Sequence, residues 1–82
     1  MDIIADLEIV LILQYIKYDY VNGTFWVYSD KYPNRRLSLR PRDNEWSVLD
    51  ADDHGALHYP RTISHEMAKS MVVKFHNGES YF

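Results

Sequence analysis

Residues 18–28 read Tyr18-Asp19-Tyr20-Val21-Asn22-Gly23-Thr24-Phe25-Trp26-Val27-Tyr28, and this stretch decides the fold class. Two short runs rich in aromatic and β-branched residues flank Asn22-Gly23, a dipeptide that accepts the positive φ angles of a type I′ turn. A two-residue turn fixes the register: Val21 faces Thr24, Tyr20 faces Phe25, Asp19 faces Trp26 and Tyr18 faces Val27. Side chains alternate along a strand, so Tyr18, Tyr20, Phe25 and Val27 share the expected core face. Lys17, Asp19, Trp26 and Tyr28 share the other.

Working outward, a second hairpin is predicted. Leu37-Ser38-Leu39 between Arg36 and Arg40 alternates, as does Glu45-Trp46-Ser47-Val48-Leu49, and Pro41-Arg42-Asp43-Asn44 supplies the turn. Leu37, Leu39, Trp46 and Val48 are its inward residues, and an Asp-rich loop is expected over 50–60. On the N-terminal side Ile3, Ile4, Leu7, Val10 and Leu11 recur at three- and four-residue steps. This spacing predicts a helix over about 2–15, with Asp2 and Asp6 at the positive end of its dipole. Ile9, Ile12, Leu13 and Ile16 cover much of its other flank, more apolar surface than one sheet needs, so self-association through them is expected. A buried strand over 9–13 is the competing reading of the same residues.

Toward the C-terminus, Ile63, Met67, Ala68, Met71, Val72 and Phe75 trace one helical stripe over roughly 62–76. Thr62 or Ser64 can cap its first amides, and Asn77-Gly78 supplies a stop. The expected fold class is therefore α+β. A single domain over 1–82 would hold an N-terminal helix, an antiparallel sheet of about four strands in two hairpins, and a C-terminal helix, both helices on one sheet face.

With 46% hydrophobic and 26% charged residues in 82, the composition is that of a globular domain, which excludes disordered and low-complexity classes. No cysteine is present, so disulfides and thiolate zinc sites are excluded, and a reducing compartment is favoured. The aliphatic run 9–13 falls far short of the roughly 18–20 residues of a membrane span. Asp2 and Asp6 are unlike the basic start of a signal peptide. A cytoplasmic protein without membrane contact is expected.

Charge is segregated along the chain. Residues 31–42 hold Lys31, Arg35, Arg36, Arg40 and Arg42 and no acid, whereas 43–54 hold Asp43, Glu45, Asp50, Asp52 and Asp53 and no Lys or Arg. Arg35, Arg36, Arg40 and Arg42 offer planar forks to carboxylate or phosphate, and Trp26, Tyr28 and Tyr32 offer rings. These seven are the candidate partner-binding residues. Surface ion pairs between the two segments are the plainer expectation for much of this charge.

Chemistry-bearing motifs are weak. Asp50-Ala51-Asp52-Asp53-His54-Gly55 opens like a calcium loop, but Arg61 stands where the bidentate Glu belongs. His54, His58 and His65 cluster in sequence without metal-site spacing, and neither a nucleophile elbow nor a phosphate-cradling glycine loop is present. No catalytic residue, metal or cofactor is therefore expected. The expected function is a small non-enzymatic protein-binding module. Its finer form is an accessory or inhibitory factor of phage or mobile-element origin acting on a host protein complex, with a homodimer as an option. The alternative is a nucleic-acid-binding domain using 31–42 and the nearby rings, against which stands a net charge of −3.

Overall fold

In the computed structural model, which describes residues 2–80, Asn22 and Gly23 carry φ of 53° and 78°. These left-handed angles close the expected turn between β1 (Tyr18–Val21) and β2 (Thr24–Tyr28), in the expected register. The second hairpin joins β3 (Arg36–Arg42) to β4 (Glu45–Asp52) through Asp43 and Asn44, with Asp43 at φ 57°. Pro41 lies inside β3 opposite Trp46, not in the turn. Its missing N–H faces the side where β2 no longer runs alongside, since that pairing ends at Phe25 and Leu39.

The sheet is larger than the expected four strands. β5 (Gly55–Ala56) and β6 (Arg61–Ser64) make it six-stranded and wholly antiparallel in its pairings, in the order β1-β2-β3-β4-β5. β5 pairs with the end of β4 and β6 with its beginning, Trp46 opposite Ile63. Two expectations are corrected here. The region 50–60 is not one loop, because β4 runs on to Asp52 against the N-terminal end of β3. Residues 61–64 are strand, not the first turn of the C-terminal helix.

The helices are α1 (Ile3–Leu13) and α2 (His65–Asn77). The Asp2 carboxylate accepts from the Ile4 and Ala5 amides, and Ser64 accepts from the Met67 amide, so each helix starts on a side-chain cap. Gly78 ends α2 in the left-handed region at φ 74°. α1 stops earlier than the sequence suggested, because Tyr15 adopts φ 55° and Ile16 donates its amide back to the Leu11 carbonyl at 2.9 Å. That turn drops Ile16 into the core, so the fourth expected self-association residue is buried and not available to a second chain.

Both helices lie on one side of the sheet. Leu7, Leu11, Ala68, Met71, Val72 and Phe75 pack onto Phe25, Val27, Leu37, Leu39, Trp46, Val48 and Ile63 in one cluster. Tyr18 is half-buried at its margin, and Tyr20, also expected inward, is exposed, with its ring centre 4.5 Å from that of Phe25. No helix among the described residues is long and apolar enough to cross a membrane.

Candidate interaction face of the sheet

Strand alternation leaves the even-numbered residues of β2 and β3 on the side no helix covers. The registers bring Asp19, Trp26, Ser38 and Leu49 into one row across this face and Tyr28, Arg36 and Ala51 into the next. Arg40 stands opposite Ser47, and Arg42 opposite Glu45. Trp26 is half-buried in a shallow depression lined by Thr24, Ser38, Arg40, Ser47, Leu49 and Pro60. The Tyr28 hydroxyl donates to Asp19 at 2.8 Å, and the Lys17 ammonium lies 5.8 Å from the Tyr28 ring centre. The bond to Asp19, and secondly burial, hold the Tyr28 phenol above its ordinary value. Among the described residues, neither Arg36 nor Arg40 enters an ion pair.

The expected binding residues divide between two places. Trp26, Tyr28, Arg36, Arg40 and Arg42 come together on the open face. Arg35 does not join them. Successive residues of an extended chain point to opposite sides, so Arg35 turns toward the helices and pairs with Asp50, whose carboxylate is wholly buried. The Arg35 guanidinium sits 5.6 Å from the ring centres of both Tyr32 and Phe75. Tyr32 is thus part of this end cluster, and 31–42 is not one continuous basic surface.

A polar chain that the sequence did not reveal ties the elements together. The Trp46 indole N–H donates to His65 Nδ1 at 2.9 Å. An indole can only donate, so Nδ1 is the acceptor and Nε2 carries the hydrogen, which faces Asp6 Oδ2 at 2.6 Å. Lys69 Nζ lies 3.2 Å from the same oxygen and 3.1 Å from Glu66. His65 therefore links β4, α1 and α2. His54 and His58 do not converge on it, and no group of three metal-ligating side chains gathers among the described residues. The Asp52 carboxylate instead accepts from the His54 amide at 2.8 Å within its own turn.

The hydrogen bond from His65, and then Lys69, lower the Asp6 carboxyl below its ordinary value of 3.8. The sign of the linkage follows. A depressed folded-state value contributes stability that is complete above the unfolded value and fades as pH falls through the folded one. Asp6→Asn should therefore be less stable than wild type at neutral pH, and the gap should close in strong acid. Urea midpoints of both proteins across that range test this; a gap independent of pH would refute the charge-assisted bond.

No family model, curated protein or solved structure matches the chain.

Proposed function

We propose that this protein is a non-catalytic binding module that docks an acidic protein surface on the open face of its sheet. Trp26 and Tyr28 serve as ring anchors, and Arg36 and Arg40 as carboxylate contacts. The observation that carries this reading is the one-sided placement of the helices, which leaves two aromatic rings and two arginines without ion pairs beside one another. Rings and Arg are the residue types that dominate interface energies, and the guanidinium fork fits a carboxylate in two-point contact. Net negative charge and the diversion of Arg35 and Tyr32 to the helix side count against nucleic acid as the partner. An accessory or inhibitory role on a host complex, phage or mobile-element origin and a cytoplasmic location are the finer form of the proposal. They rest on size, composition and the absence of cysteine.

The test is capture from lysate followed by reconstitution with the purified captured protein, comparing wild type with Trp26→Ala and Arg36→Glu. Each change should weaken the reconstituted complex by about tenfold or more. Folding stability should change by only about 1 kcal/mol, because both side chains lie outside the core. Equal affinity of all three proteins would rule the face out. A salt-reversible shift of RNA or DNA, absent in Arg36→Glu, would replace the acidic protein with nucleic acid as the ligand.

A further inference from the structure

The two margins of the sheet differ. On the β4 side the edge is broken into β5 and β6, with Pro60 directly before β6, and short pieces and proline discourage pairing with another chain. On the other side β1 is flanked only by β2 among the described residues. The Tyr28 amide donates to the Lys17 carbonyl at 3.0 Å, which makes Lys17, Asp19 and Val21 the residues bonded to β2. By the antiparallel alternation, the backbone N–H and C=O of Tyr18 and Tyr20 point outward from the sheet. Tyr20 and Val21 are 43% and 52% exposed, and β1 holds no proline.

α1 leans over this same margin. The Tyr18 hydroxyl donates to Glu8 at 3.0 Å, while Asp6, on the opposite flank of the helix, faces α2. Continuing round α1 from Glu8, away from the sheet, come Ile12, Ile9 and Leu13, which are 57%, 52% and 69% exposed. Of these, only Ile12 neighbours Glu8 on the β1 side; Ile9 points away from the sheet and Leu13 lies beside Asp6 on the α2 flank, so the unpaired strand edge and the exposed Ile12 share one side of the molecule.

We propose that a second copy of this chain adds antiparallel to β1 across a two-fold axis, with Tyr18 opposite its own counterpart. Charge selects the register. With Tyr18 facing Tyr18, Lys17 of each copy stands opposite Asp19 of the other, so the pair of opposite charges forms twice. Sliding the copies until Tyr18 faces Tyr20 sets Asp19 against Asp19, a repulsive pairing, and placing Tyr20 against Tyr20 sets Asp19 against Val21. A second copy fits better than an unrelated strand because one axis satisfies both charges and carries Ile12 of α1 toward its equivalent. Four strand residues with Ile12 beside them bury less than the roughly 800 Å² per chain of a standard interface, so the association is a weak one that appears as concentration rises. The paired backbone is the sheet margin, while Lys17 and Asp19 also touch Tyr28 of the open face, so self-association is read from the mass of the chain alone and partner binding from the reconstituted complex.

Sedimentation equilibrium of the full chain over a range of concentrations tests it. The 9.8 kDa mass should double as concentration rises, and amide exchange at Tyr18 and Tyr20 should slow in parallel. Asp19→Lys should weaken association by about tenfold or more, Ile12→Glu should weaken it as well, and Lys17→Asp combined with Asp19→Lys should restore it. Far-UV circular dichroism verifies that each variant is folded. A single-chain mass at every concentration, or an association indifferent to Asp19→Lys or not rescued by the exchange, would overturn the proposal.

Discussion

Replacing Trp46 by alanine is expected to cost about 3–5 kcal/mol from lost burial and the resulting cavity. A further roughly 1–3 kcal/mol comes from leaving the His65 acceptor without its donor. Trp46 is fully buried at the centre of the core cluster, 5.8 Å from Phe25 between ring centres, and its indole begins the chain through His65 to Asp6. A domain of this size holds only roughly 4–12 kcal/mol in total, so Trp46→Ala should be largely unfolded at ambient temperature. Trp46→Phe separates the two contributions: it keeps a ring in the cavity and removes the donor, for a loss of about 1–3 kcal/mol. Urea unfolding followed by circular dichroism measures both. Near-equal losses for the two variants would mean that the hydrogen bond, not the volume, dominates.

The second large effect concerns Arg35. Arg35→Met keeps an aliphatic stem against Tyr32 and Phe75 but takes the guanidinium from a carboxylate with no solvent exposure, which should cost about 3–5 kcal/mol. Asp50→Leu should cost less. The Arg35 side chain retains 25% exposure, and its charged end can turn toward water. The double variant Arg35→Met with Asp50→Leu should recover most of the loss, since an apolar pair of similar volume replaces a buried ion pair at little cost. Denaturant titration of the four proteins forms a double-mutant cycle. Additive losses would show that the pair is not energetically coupled.

The open face was legible in the sequence where alternation alone governs it. Trp26, Tyr28, Arg36, Arg40 and Arg42 follow from the turn at Asn22-Gly23 and from the period of two. Arg35 was not, because its direction depends on the partner it finds at Asp50, fifteen residues away. Ile63 misled in an instructive way. Its four-residue step to Met67 suits a helix, yet an even step equally suits a strand, and only the ladder to β4 decides between them. Ile16 was expected with Ile9, Ile12 and Leu13 on the outer flank of α1, but Tyr15 turns the chain inward and buries it.

What the chain determines locally is a matter of a few bonded neighbours. Asn22-Gly23 sets the first register, Asp2 and Ser64 start the helices, Gly78 ends the second, and alternating apolar residues mark the buried side of β2, β3 and β4. What required the tertiary structure are the contacts whose partners lie far apart along the chain: the ladder of β6 on β4, the pairing of Arg35 with Asp50, and the line from Trp46 through His65 to Asp6. A turn or cap is stabilised by groups within a few residues of one another. A cross-sheet bond forms only once the intervening chain has been ordered, and no window of sequence contains both of its ends.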